Sequence, residues 1–138
     1  MAVLGFDPGR DKCGLAVLDA NSVPLYHQVV SSDEVIPTIA ALSRHFPLER
    51  IVMGNLTTSK QWQKRLKEEL GLSIPLELVD ETNTTLEARS RYWQMYPPGG
   101  LVRLIPPGLR IPPRPIDDIV AIILVERYYH KMSSGIKP

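Results

Sequence analysis

The chain has 138 residues, of which 43% are hydrophobic and 22% are charged, and its formal net charge is +1. This is the composition of an ordinary globular protein, and the length suits one core. No run approaches the ~20 continuous apolar residues that a membrane-spanning helix needs. We therefore expect a single domain over residues 1–138 that does not enter a membrane.

The N-terminus and the cysteine content favour a cytoplasmic location. The opening segment MAVLGFDPGR has no basic region before its apolar run and reaches an acid at Asp7, which is not the pattern of a secretory signal. Cys13 is the only cysteine, so we expect neither an intramolecular disulfide nor a cysteine-based metal cluster. His27, His45 and His130 lack metal-like spacing, and we interpret them as surface or helix-end residues.

The first half of the chain predicts alternating strands and helices. Apolar runs at residues 2–6, 13–18 and 23–30 are joined by short turn-forming links, which predicts an antiparallel meander. Ser32 is placed to cap the first helix, and Thr84 with Glu87 has the spacing of a capping box. The other predicted elements are a helix from Ser32 to about Phe46, a strand at 50–54, a helix from Thr58 or Ser59 to about Leu70, a strand at 74–79, a helix from Thr84 to about Gln94 and an apolar helix at 116–131.

The order of these elements predicts an α/β fold. Strands that alternate with helices pair in parallel, whereas the opening meander is antiparallel. We therefore expect a mixed five-stranded sheet flanked by helices.

The segment from residue 96 to residue 115 has a different character. It holds seven prolines, three glycines and three arginines but no acid, which excludes a regular helix or an internal strand. A loop of this length is usually functional or disordered. Its place before the last helix predicts a flap over a site, with Arg103, Arg110 and Arg114 holding phosphates. A stiff surface loop is the alternative.

Basic residues are also segregated along the chain. Four cations and no acid lie between residues 56 and 67, and five arginines with one acid lie between residues 82 and 115. A near-neutral protein with such basic segments can bind a polyanion on one face. The alternative is that each cation belongs to a solvated helix surface.

Four acids lie at the ends of predicted elements. Asp7 ends the first strand, Glu81 follows the fifth, and Asp117 and Asp118 open the last helix. Each has an ordinary explanation as a turn residue, a solvated acid or a helix N-terminal acid. Strand ends meet along one sheet edge, however, and carboxylates that converge there suit a hard divalent cation. Taken together, these acids predict a metal site.

Three segments carry a resemblance to a known family. LGFDPGRDKCGLAVLD (4–19) resembles the opening hairpin of the YqgF/RuvX-type and RuvC-type nucleases, which are ribonuclease H-like. VDETNTTLEAR (79–89) and IDDIVAIILVERYY (116–129) are similar to the second and third YqgF motifs. Relatives usually carry a basic residue where this chain has Thr82, and the basic pair of the first motif is only partly present, as Arg10 and Lys12.

The resemblance implies a ribonuclease H-like domain with a carboxylate triad. Asp7, Glu81 and Asp117 would be the catalytic residues and would bind two Mg²⁺ or Mn²⁺ ions, with Asp7 bridging both; Asp118 is the alternative to Asp117. The residues expected to contact nucleic acid are Arg10, Lys12, Lys60, Lys64, Arg103, Arg110 and Arg114.

The leading functional hypothesis is a metal-dependent nuclease acting on structured nucleic acid. The resemblance implies Holliday-junction resolution on DNA or processing of a ribosomal RNA precursor, by a monomer or a homodimer. A non-catalytic nucleic-acid-binding module with the same fold is the main alternative. A kinase relative with the same opening hairpin is disfavoured, because such kinases duplicate the domain.

Overall fold

A mixed sheet lies at the centre of the fold. The computed structural model describes residues 1–55, 58–71 and 73–135, with only the backbone of residues 134 and 135. Within these residues five strands pair in the order β3-β2-β1-β4-β5. The strands are β1 (Ala2–Asp7), β2 (Lys12–Asp19), β3 (Pro24–Ser31), β4 (Leu48–Gly54) and β5 (Leu76–Val79).

The pairing directions confirm the predicted sheet. β1 and β3 run antiparallel to β2, so the first three strands form the meander, whereas β4 pairs in parallel with both β1 and β5. Asp7 lies opposite Gly14, and Gly14 lies opposite Val29. The carboxyl ends of β1, β4 and β5 therefore meet at one edge.

Helices cover both faces of the sheet. In the described part of the chain they are α1 (Val35–His45), α2 (Ser59–Leu70), α3 (Thr84–Met95) and α4 (Asp117–Gly135). α1 and α2 pack on the face that carries Leu4 and Phe6, and α3 and α4 pack on the face that carries Val3 and Val52. Alternate residues of each strand thus supply two separate hydrophobic cores.

α4 is the most deeply buried helix. Ile119, Ile122, Ile123 and Leu124 are each no more than 1% exposed, because the helix lies between the sheet and α3. Burial of each such side chain contributes about 1.5–3 kcal/mol. No helix among the described residues is both long enough and apolar enough to cross a membrane.

The predicted role of Ser32 as a helix cap is wrong. Ser32 lies in a short 3₁₀ turn before α1, which begins at Val35 without a side-chain cap. The Ser32 hydroxyl instead donates a 2.6 Å hydrogen bond to the carbonyl of Arg10. It thereby fastens the β1–β2 turn to the start of α1.

The proline-rich segment contains no regular α-helix or strand, as predicted. It does contain two short 3₁₀ helices, Gly100–Leu104 and Pro107–Leu109, which are local turns of tighter winding. The segment is therefore folded, and it leads directly into the first turn of α4.

Candidate active site

Three carboxylates come together where the strands end. Asp7 closes β1 and faces α4, as do the alternate positions Val3 and Gly5 before it. Glu81 follows β5, and Asp117 is the first residue of α4. The structure thus places all three predicted triad residues beside one another at the same edge of the sheet.

Glycines beneath these carboxylates make the close approach feasible. A β-carbon at Gly14 would overlap the carbonyl of Asp117, and one at Gly54 would lie 2.7 Å from Oε1 of Glu81. Backbone and carboxylate occupy the space that a side chain would need. The position of Asp117 over β2, and that of Glu81 beside β4, therefore depend on glycine at these points.

The carboxyl groups of Asp7 and Asp117 interact with each other, and the pKa of each is raised. Burial, followed by the charges of Asp117 and Glu81, raises the pKa of Asp7 from 3.8 to about 8. Burial also raises the pKa of Asp117, while its hydrogen bond with Asp7 lowers it. With its pKa raised to about 8, Asp7 is expected to hold the proton at neutral pH and to donate it to Asp117.

The donor chemistry of the site suits a hard divalent cation. Carboxylates held this close repel one another unless a proton or a cation lies between them. In the part of the chain that is described, no three His, Cys, Asp or Glu side chains are arranged to hold one ion together. The carboxylates are arranged instead around Asp7, which interacts with Asp117 and with Glu81. Metal binding itself remains a prediction.

Asp118 does not face Asp7. Its carboxylate, 2% exposed, lies against β3, where Oδ2 is 2.7 Å from Nδ1 of His27. Nη1 of Arg114 donates a 3.0 Å hydrogen bond to Oδ1 of the same carboxylate. Of the two acids that open α4, Asp117 therefore turns towards Asp7 and Asp118 turns away.

The interpretation of His27 as a surface or helix-end residue is wrong. His27 lies within β3, on the face that α4 covers, and its side chain is 25% exposed. Strict alternation along β3 places His27 on the same face as Val29, which lies opposite Gly14. That alternation was the signal in the sequence that could have identified it.

Side-chain hydrogen bonds hold the backbone on either side of Glu81 in place. The Asp80 carboxylate accepts hydrogen bonds from the amide (3.1 Å) and the hydroxyl (2.6 Å) of Thr82. Arg127 of α4 donates a 2.8 Å bond to the Asp80 carbonyl, and the Thr84 hydroxyl donates a 2.9 Å bond to the Glu81 carbonyl. Thr82 thus stabilises the turn that holds Glu81.

The predicted capping box at Thr84 and Glu87 is not formed. Asn83, in the left-handed conformation with φ of 62°, is the N-cap of α3, and it makes no side-chain cap. The Glu87 carboxylate pairs instead with Arg127 at 2.6 Å. Sequence reasoning missed Arg127, because its partners belong to a different part of the chain.

Some of the predicted basic contacts surround the site. Arg10 is exposed in the turn after β1 and Lys12 at the start of β2, and the charge of Lys12 lowers the pKa of Asp117. Lys60 and Lys64 are exposed on α2. Lys60 lies in the first turn of α2, and Lys64 lies one turn further along the helix.

Two of the three arginines of the proline-rich segment, Arg110 and Arg114, are engaged in contacts within the protein. Arg110 donates from Nε to the carbonyl of Ile105 (2.9 Å) and from Nη2 to that of Arg103 (3.2 Å). The Arg114 guanidinium lies 5.5 Å from the ring centroid of Tyr92, in addition to its contact with α4. Arg103 itself is exposed.

Comparison with known proteins identifies the fold. The sequence matches no protein-family model and no curated protein sequence. The structure is similar to Thermus thermophilus RuvC in complex with Holliday junction substrate, with a TM-score of 0.63 and 19% identity over 98% of this chain and 96% of that chain. A second T. thermophilus RuvC structure gives a TM-score of 0.57 and 18% identity over 96% and 97% of the two chains.

A viral enzyme shows the same likeness. Fowlpox virus resolvase, in a structure with substrate Holliday junction DNA, gives a TM-score of 0.56 and 10% identity over 96% of this chain and 99% of that chain. At such low identity, similarity over nearly the whole length of both chains establishes a common fold. The chain therefore has a ribonuclease H-like fold, as the sequence predicted.

Proposed function

We propose that the protein is a divalent-metal-dependent nuclease of the YqgF/RuvX type that hydrolyses phosphodiester bonds in structured nucleic acid. The observation that carries this proposal is the arrangement of Asp117, over β2, and Glu81, beside β4, on either side of Asp7 on β1. Its support from the fold is the similarity to RuvC and to fowlpox resolvase, whose structures contain Holliday junction DNA.

The carboxylates have distinct roles in the proposed reaction. Asp7, Glu81 and Asp117 would hold two Mg²⁺ or Mn²⁺ ions, with Asp7, between the other two, as the shared ligand and Glu81 and Asp117 as ligands of one ion each. Ions held in this way activate water and stabilise the leaving oxygen of a phosphodiester. Because the pKa of Asp7 is raised to about 8 without metal, metal binding would release the Asp7 proton to solvent. The Asp80–Thr82 turn and Arg127 keep Glu81 in place.

The substrate is a polyanion that reaches the carboxylates past basic side chains. Lys12, at the start of β2, lies close enough to Asp117 to lower its pKa, and Arg10 is exposed in the turn before it. Lys60, exposed in the first turn of α2, is the third cation that would contact the substrate, together with Arg10 and Lys12. Four-way junction DNA is the first substrate to test because of the structural neighbours, and structured ribosomal RNA precursor is the second because of the motif resemblance.

A cleavage assay on both substrates tests the proposal. Purified protein is incubated with Mg²⁺ or Mn²⁺ and a four-way DNA junction or a structured RNA, and compared with the Asp7→Asn and Asp33→Asn variants. Asp33 is an exposed acid before α1 and serves as the matched control. Wild type and Asp33→Asn should cleave one substrate, while Asp7→Asn binds it without cleaving. Equal cleavage by Asp7→Asn would refute the triad, and binding without cleavage by the wild type would favour the non-catalytic module.

A further inference from the structure

Several large aliphatic side chains project from the proline-rich segment into solvent. Leu101, Leu104, Leu109 and Ile111 are 82%, 80%, 70% and 77% exposed. We call these four residues the aliphatic knob. An isolated exposed leucine is ordinary, but four such residues within eleven positions indicate a surface that binds something.

Hydrogen bonds within the proline-rich segment order the part that carries the aliphatic knob. Arg110 fastens it by donating to the carbonyls of Arg103 and Ile105. Pro107 and Arg110 also line a depression with Leu86 and Trp93 of α3, so the segment rests against that helix. A binding surface that is ordered in advance loses little conformational freedom when it meets its ligand.

The surroundings of the aliphatic knob are positively charged. Residues 88–116 contain five arginines and no acid. Arg91 is paired with Glu126 and Arg114 with Asp118, but Arg89 and Arg103 are exposed. A two-fold contact between copies would bring these cations together, which disfavours a second copy as the ligand. A polyanion matches them.

We propose that the aliphatic knob binds unstacked bases of the nucleic-acid substrate while Arg89 and Arg103 contact the flanking phosphates. This inference rests on the proposed nuclease function and narrows its substrate. Aliphatic side chains gain nothing from phosphates, but they pack against base faces wherever stacking is interrupted. Arg114, bound to Asp118, connects the segment to the first turn of α4 and hence to Asp117. The protein therefore selects strands whose stacking is broken near the cleaved bond.

A binding comparison tests the aliphatic knob without requiring cleavage. The probe is a DNA duplex with a three-nucleotide bulge containing 2-aminopurine, compared with the same duplex without the bulge, and all proteins carry Asp7→Asn. Leu101→Ser/Leu104→Ser is the test variant, and its fold is checked by circular dichroism. Val23→Ser/Leu25→Ser, at exposed positions beside and within β3, is the matched control.

The Asp7→Asn protein and its Val23→Ser/Leu25→Ser control should bind the bulged duplex at least ~10-fold more tightly than the plain duplex, with a change in 2-aminopurine fluorescence. The test variant should bind both duplexes equally, at the affinity of the plain duplex. Equal preference for the bulge in all proteins, no preference in any, or conversion of a dimer to a monomer by the test substitutions would each overturn the inference. If the wild type cleaves nucleic acid but the preference for the bulged duplex does not depend on the aliphatic knob, only this inference is refuted. If the preference depends on the aliphatic knob but the wild type cleaves no substrate, only the nuclease proposal is refuted.

Discussion

A 2.7 Å hydrogen bond joins the carboxylate of Asp118 to Nδ1 of His27 and ties the first turn of α4 to β3. The carboxylate is buried, so it needs such partners, and Arg114 supplies a second. The bond fixes the rotation of α4 at the residue next to Asp117. Asp118 thus acts on the candidate site by orienting its neighbour.

Loss of the Asp118 side chain should destabilise the protein. We expect Asp118→Ala to lower the free energy of unfolding by about 1–3 kcal/mol, because it leaves His27 and Arg114 without their shared acceptor. Asp33→Ala, at an exposed position, should change it by less than about 0.5 kcal/mol. Urea unfolding measures both, and equal midpoints for the two variants would contradict the role of Asp118.

Stability in metal-free buffer should fall as the pH rises through the window set by Asp7. The pKa of this carboxyl is about 8 in the folded protein against 3.8 ordinarily, so between these values the folded state holds more protons than the unfolded state. The stabilisation that comes from this proton is fully present below pH 3.8 and is lost as the pH rises through about 8. Asp7→Asn should flatten this slope and be more stable than wild type at high pH, by at least about 1 kcal/mol. Parallel pH profiles of the two proteins would show that Asp7 titrates normally.

Divalent metal should reduce the loss of stability that is expected at high pH. Mg²⁺ or Mn²⁺ is expected to raise the thermal midpoint of the wild type and to flatten its pH dependence, because the cation replaces the shared proton between Asp7 and Asp117. Glu81→Gln and Asp117→Asn should weaken the effect, whereas Asp33→Asn, at an exposed acid outside the site, should retain it. Thermal unfolding with and without chelator measures the shift. A shift of the same size in Asp117→Asn would exclude that carboxylate as a ligand.

Glycine at position 14 should be essential to the site. A β-carbon there meets the carbonyl of Asp117, and backbone atoms cannot swing aside as a flexible side chain can. We expect Gly14→Ala to cost about 1–3 kcal/mol or more of stability and to lower cleavage by displacing α4. Gly99→Ala is the matched control, because Gly99 has extended backbone and open space around it. A Gly14→Ala variant with the stability and activity of Gly99→Ala would refute this packing.

Local patterns in the sequence were sufficient to predict the strands and the acids at their ends. Each of the five predicted strands begins and ends within two residues of its position in the structure, because alternation and turn residues are local signals. Asp7 and Glu81 could be identified as acids at strand ends for the same reason. Their convergence followed from the expected topology, in which parallel strands end at a common edge.

Contacts between distant residues could not be predicted in this way. His27 and Asp118 are separated by 91 positions, and Arg127 lies 47 positions from its partner Asp80. Each pairing depends on how α4 is rotated above the sheet, which no local pattern specifies. The inward turn of Arg110 is similar, because it depends on carbonyls that become available only when the proline-rich segment closes on itself.

The contact of α4 with Gly5 and Gly14 also limits how this protein can change. A larger residue at either position would have to lift the helix, since a β-carbon at Gly5 would overlap the carbonyl of Ala121 just as one at Gly14 would overlap that of Asp117. A lineage that alters its core here must therefore alter the separation of its carboxylates at the same time. Variation at the candidate site is accordingly expected through exchange of individual carboxylates, while the helix that carries Asp117 keeps its place.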